Sequence, residues 1–323
     1  MEYSIHTDLA IESAAVANME VSGKISGIKT SGYRDGCVGV SHVEILNKRG
    51  EAAVGKPIGN YVTLEVPQLR ECVSEAYDST VRVLTKELKN ILGLTKDKTV
   101  MVVGLGNRFV TPDALGPKVV DKILVTRHLY GVLPEEVTQT MNSLCAVAPG
   151  VLGITGMETG EIIKGIADKI KPDIIIAIDA LASRKTSRIS TTFQISDTGI
   201  VPGSGIGNHR KGLTEQTLGV PVIAIGVPTV IEAAAVANDA IELLIEAVKI
   251  HAKKDSPLFG AVEAFDNDNR YDLITEVLSP EAGDLIVTPK EVDSIIDEVS
   301  KIIAESINEA VNGKTAKKLG EIL

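Results

Sequence analysis

The sequence predicts an α/β fold in which a mostly parallel sheet is flanked by helices, with a small β-rich N-terminal region ahead of it. Three observations lead there. Short apolar runs recur at residues 100–104, 144–148, 174–178, 192–195 and 220–226, most of them rich in Val and Ile and all too short for a helix. Between and after them, at residues 115–127, 158–169 and 230–252, apolar residues return at helical spacing. The chain has 323 residues and 44% of them are hydrophobic, enough for a large buried core.

The elements follow in order. Residues 1–22 are polar and weakly patterned, and residues 23–66 carry several glycines with β-like stretches at 38–46 and 61–66. Residues 68–92 place Val73, Tyr77, Val81, Leu84 and Leu88 on one helical face. The strands and helices named above then alternate. Residues 253–270 (KKDSPLFGAVEAFDNDNR) are charged and turn-rich and read as an exposed insertion. A last amphipathic helix starts near Pro289, a good first-turn residue, and runs to Val311. No internal repeat or Ser/Gly linker divides the chain, so one domain is expected: a β-rich region 9–67, an α/β core 68–252, an insertion 253–288 and a C-terminal helix region 289–323, with residues 1–8 ahead of them.

Charge and cysteine content narrow the function. With 33 Lys and Arg against 43 Asp and Glu, the net charge of −10 opposes tracking along DNA or binding an anionic membrane. Apolar runs fall short of the roughly 20 residues a membrane span requires, and residues 1–10 hold no signal-like segment. Cys37, Cys72 and Cys145 form no metal or redox motif and read as small apolar residues in a reducing cytosol.

Several motifs compete for the chemistry. Gly104–Leu105–Gly106–Asn107 follows a strand, yet Phe109 stands where a dinucleotide fingerprint needs its third glycine. The Gly-rich stretch 203–208 fails the same pattern at Asn208, although Arg210 and Lys211 beside it could meet an anion. The histidines His6, His42, His128, His209 and His251 are scattered, and none forms a zinc pair. Two aspartates remain. Asp113 lies beyond the strand at 100–103, and Asp179 stands at the end of the strand at 174–178, in the crevice where open parallel sheets bind ligands. A carboxylate pair there can do acid and base chemistry, whereas each Asp alone reads as a helix cap or turn residue.

With VVGLGNRFVTPDALGPKVVD, APGVLGITGMETGEII, PDIIIAIDALASR, QISDTGIVPGSGIGNHRK and GVPVIAIGVPTV in order along residues 102–230, the chain resembles the germination proteases, or spore proteases, of endospore-forming bacteria. GNYVTLEV near Gly59 and VTPKEVD near Val287 extend the likeness towards both ends. The GLGN…D..G unit also resembles the hydrogenase maturation proteases and implies the same core. The resemblance implies an endopeptidase that starts degradation of small acid-soluble spore proteins at germination, made as a self-processing zymogen and assembled as a homotetramer. Its location would be the cytoplasm of the developing forespore and spore core, with no direct nucleic-acid or membrane partner. The family's proposed catalytic aspartates fall on Asp113 of VTPDALGP and Asp179 of IAIDALASR. His6-Thr7-Asp8-Leu9-Ala10-Ile11-Glu12 is similar to the family's self-processing site, which makes residues 1–8 a propeptide cut between Asp8 and Leu9. Compared with longer members the leader is short, and the segment before VTPKEVD is trimmed.

Two other readings stand beside this one. No cofactor is expected, but a divalent ion could be held by Asp113 and Asp179 with His209 or Glu158 completing the set. A non-catalytic sheet protein that binds nucleotide or a partner through its Gly loops is the reading of another class.

Overall fold

The computed structural model describes residues 8–13, 27–71, 74–138, 141–201, 211–251, 270–282 and 285–320. Chain reversal at Gly36 and Cys37 makes a hairpin of β1 (Ile28–Asp35) and β2 (Val38–Ile45). Helix α1 (Lys48–Val54) follows, capped by Asn47, whose side-chain oxygen accepts from the Arg49 and Gly50 N–H groups at 3.0 and 3.1 Å. Next come β3 (Gly59–Glu65), α2 (Ser74–Leu92), β4 (Thr99–Gly104), the single turn Thr111–Asp113 and α3 (Leu115–Val120). The chain continues through β5 (Ser143–Val147), α4 (Thr159–Ile170), β6 (Ile174–Ser183), β7 (Thr192–Ser196) and β8 (Val222–Glu232). It then forms α5 (Ala233–His251), α6 (Arg270–Ala282), β9 (Ile286–Val287) and α7 (Val292–Gly320), broken at Gly313.

The strands among the described residues belong to one sheet, ordered β1-β2-β3-β7-β8-β6-β4-β5, with β9 joined to β8. The parallel part of the predicted architecture is β8-β6-β4-β5. The β-rich N-terminal region adds antiparallel β1, β2 and β3 to this sheet, joined to β8 through antiparallel β7. On β6, Ile174, Ile176 and Ile178 join α2, α3 and α7 in the main core, while Ile175 and Ala177 face Ile163 and Ala167 of α4. Burial on both faces is why the strand reads as an unbroken apolar run. Leu88 is fully buried in the main core, so Leu88→Ala is expected to cost about 2–5 kcal/mol, read as a lowered denaturant midpoint with unchanged slope.

Three expected boundaries are corrected. The helix expected over 115–127 stops at Val120, because Leu124 N–H donates to Asn308 and Thr126 is tied to β5, its N–H to Leu144 O at 2.9 Å and its hydroxyl to Asn142 O at 2.8 Å. The helix expected from 230 begins at Ala233, since pairing with β6 and β9 keeps the chain extended to Glu232. The strand expected to end before Asp179 continues to Ser183 for the same reason. The expected insertion at 253–270 lies outside the described residues apart from Arg270, which is buried at the start of α6.

Candidate active site

Asp113 is placed by backbones in close approach. Beyond β4, Leu105 N–H donates to Ile178 O at 2.8 Å, so the loop leaves the sheet beside β6. Gly104 and Gly116 touch backbone to backbone, and a side chain on either would run into the other's main chain. Gly106 has φ +106°, and a Cβ there would collide with the Asp113 carbonyl and lie 2.9 Å from its Oδ1. The Asp113 side chain is not a cap for α3, which begins without a side-chain cap; its Oδ2 accepts from Asn107 N–H at 2.7 Å. Arg108 closes the loop onto the end of α3 through Asp121 at 2.6 and 3.0 Å and holds that carboxyl below its ordinary range by hydrogen bonding. The turn Thr111–Asp113 therefore lies against β6 and β8.

Asp179 sits within β6, only 4% exposed, its Oδ1 accepting from Ala180 N–H at 3.0 Å. Across the sheet it is in register with Gly226 of β8, and Gly226 is in register with Gln194 of β7. Residues in one such row point to one face, so Asp179 and Gln194 flank Gly226, whose missing side chain leaves the room that Leu181 fills. Their Cα atoms are separated by about 9–10 Å, two strand spacings.

Residues 8–13 lie on this ground. Asp8 N–H donates to Ala182 O at 3.4 Å, and Ala182 N–H donates to Asp8 Oδ2 at 3.0 Å. Gln194 Nε2 donates to the Asp8 carbonyl at 3.0 Å, and its Oε1 accepts from Ala10 N–H at 2.6 Å. Leu9 and Ala10 are fully buried, Ala10 among Val43, Ile45, Val54 and Tyr61. Glu12 accepts from Arg184 N–H at 3.1 Å and lies 3.6 Å from the Arg188 guanidinium. Beside Asp8 is a cavity of about 260 Å³ lined by Lys56, Tyr61, Leu181 and Gln194. Burial holds the Lys56 ammonium below its ordinary value, and the Asp8 and Glu12 carboxylates work against that shift.

The profile of the peptidase family A25, germination protease, matches this chain over residues 5–256 and 249–321. The chain belongs to the germination protease family. The germination protease of Clostridium tetani is 48% identical over 95% of this chain and 95% of its own. That of Caldanaerobacter subterraneus subsp. tengcongensis is 46% identical over 99% and 98%, and that of Bacillus subtilis 41% identical over 98% and 96%. Among solved structures, the [NiFe] hydrogenase maturation protease HycI from Thermococcus kodakarensis covers 68% of this chain and 97% of its own at 15% identity, with a TM-score of 0.32.

Of the site residues expected from the sequence, Asp113, Asp179 and Asp8, with Leu9 beside it, gather about the end of β4 and the far half of β6. His209, Arg210 and the Gly-rich stretch 203–208 lie outside the described residues. Glu158 stands at the start of α4, and no group of three metal-ligating side chains forms among the described residues. No helix among them is long and apolar enough to cross a membrane. The glycines of GLGN serve the approach of the Asp113 turn to the strand, and the partner of Gly104 is Gly116, not a residue at position 109. Sequence reasoning missed Gln194, Lys56 and Arg188. One signal for the first was present: on β7, Thr192, Gln194 and Ser196 form a polar alternate row in a strand whose residues are all buried.

Proposed function

We propose that this germination protease is an endopeptidase that begins the degradation of small acid-soluble spore proteins at germination, with Asp113 and Asp179 as the pair that activates water. The observation that supports this most is the seat of residues 8–13: an acidic-then-apolar segment held by β6, the strand that carries the buried Asp179. One ionised carboxylate takes a proton from water as the water oxygen attacks the scissile carbonyl carbon. The other, protonated, supports the forming oxyanion and then protonates the leaving nitrogen. Two neighbouring carboxyls resist double ionisation, so one proton belongs to the pair.

The chain is a zymogen in this reading, because its own residues 8–13 fill the groove a substrate needs. Cutting between Asp8 and Leu9 removes the residue whose carboxylate and carbonyl fasten the segment to Ala182 and Gln194. The working enzyme is a homotetramer in the cytoplasm of the forespore and spore core. Leu243, Leu244 and Ile250 of α5 and Val277 of α6 are exposed, an apolar surface suited to a second copy. With a net charge of −10 the enzyme meets its substrate off the DNA.

Purified full-length chain is expected to shorten on incubation, to show Leu9 at its new terminus, and then to fragment a small acid-soluble spore protein. Intact mass, terminal sequencing and gel analysis check this. A chain that cleaves the spore protein while still beginning at Met1 would refute the zymogen, and a processed chain that leaves the spore protein whole would refute the substrate.

A further inference from the structure

We infer that Gln194 is a catalytic residue of this protease, a side-chain amide that clamps the scissile peptide and supplies a hydrogen bond to its carbonyl oxygen as that oxygen becomes an oxyanion. The inference rests on the reading that the bond between Asp8 and Leu9 is cut. Gln194 spans that bond, with Nε2 on the carbonyl oxygen of Asp8 at 3.0 Å and Oε1 on the N–H of Ala10 at 2.6 Å. The second contact settles the orientation of the amide: the Ala10 N–H needs an acceptor, so the amide oxygen faces it and the NH2 group faces the carbonyl. Both bonds go to main-chain atoms. The clamp therefore reads the path of a peptide rather than its side chains, and an extended substrate in the same groove would meet it in the same way.

The position in the sheet suits the role. Gln194 shares a row with Asp179, and the Leu181 side chain lies over the glycine between them, Gly226, as an apolar wall of the groove. Gln194 is 9% exposed, so its hydrogen bond acts where little water competes. As water adds to the Asp8 carbonyl carbon, one water proton passes to the ionised carboxylate and the carbonyl π pair moves onto the oxygen facing Gln194 Nε2. Collapse of the adduct breaks the C–N bond, and the Leu9 nitrogen takes the proton of the other carboxyl. Gln194 neither gains nor loses a proton. Its bond strengthens as charge develops, the condition for lowering a barrier rather than merely tightening binding.

The test uses the full chain and a peptide. Gln194→Glu keeps an acceptor for Ala10 N–H but replaces the donor with an oxygen that repels an oxyanion, and Gln194→Met removes both. Each is expected to lower the self-processing rate, followed by intact mass, by about 10²- to 10³-fold with an unchanged circular dichroism spectrum. In a second arm, wild-type processed enzyme is given a peptide of residues 4–15 and its analogue in which an ester oxygen replaces the Ala10 N–H. The analogue is expected to show a KM raised about three- to tenfold with kcat nearly kept. Folded Gln194 variants that process at the wild-type rate would overturn the inference, as would an analogue with unchanged KM. If the variants do not fold, the peptide arm still tests the clamp, and an analogue with unchanged KM overturns the inference. Asp113→Asn and Asp179→Asn chains run alongside separate the two levels. If those also process normally, the reading of the site fails; if they are inert while the Gln194 variants are active, only the clamp fails.

Discussion

An Asp179→Asn chain is expected to fold as the wild type does and to lose proteolysis by on the order of 10³-fold or more, and Asp113→Asn is expected to do the same. The substitutions keep shape while removing the ionisable group. At position 179 an amide oxygen still accepts from Ala180 N–H, and at 113 it still accepts from Asn107 N–H, so the hydrogen bonds that place each side chain survive. What disappears is the ability to hold and pass a proton, the one property the mechanism asks of the pair. Because the two act as a unit, the double variant should be little worse than either single one. Initial rates on a small acid-soluble spore protein, beside thermal melting curves, measure both parts. Near-wild-type cleavage by either variant would remove that residue from the chemistry. A chelator arm on processed wild-type enzyme tells the carboxylate pair from a shared divalent ion: activity lost to chelation and restored by added metal would favour the ion.

Gly106→Ala is expected to be nearly as damaging to activity, by a different route. The residue has φ +106°, which an L side chain rarely adopts, and a methyl there collides with the carbonyl of Asp113. Relief requires the Asp113 turn to move off the strand end, and a shift of about 1 Å in a reacting group costs on the order of 10²-fold in rate. The strain itself should cost about 1–3 kcal/mol. Gly93→Ala separates the two effects. Gly93 also has positive φ, at +53°, but a methyl there meets nothing within 4 Å, and the position follows α2 away from the turn. Its replacement should lower the melting temperature and leave kcat/KM intact. If Gly106→Ala behaves like Gly93→Ala, the close approach does not position Asp113.

The centre of the parallel half of the sheet was legible because β4, β6 and β8 are buried on both faces. A run such as Ile174–Ile178 has no polar alternation to confuse with a helix, and its length argues for a strand. Element ends were harder. β6 continues past Asp179, and α3 stops at Val120, because partners far along the chain, β8 in one case and Asn308 in the other, hold the backbone there. The aspartates were visible as strand-associated carboxylates, and on residue type alone each reads as a cap or turn residue. Ordered blocks of family resemblance made them the expected pair.

Local chemistry written in the sequence determined the α/β class, the approximate positions of the parallel strands, the two aspartates and the acidic-apolar pair Asp8 and Leu9, since each follows from residue type, short-range spacing or a block of resemblance. Tertiary structure alone decided that Gln194 meets a segment 184 and 186 residues away, that Lys56 shares a cavity with Asp8, and that Leu181 covers Gly226 in the row between Asp179 and Gln194. The physical reason is register. A strand's side chains alternate between faces, and a shift of one residue against its neighbour would turn Gln194 away from the groove. That choice is made by packing across the whole sheet, in which no short stretch of sequence takes part alone.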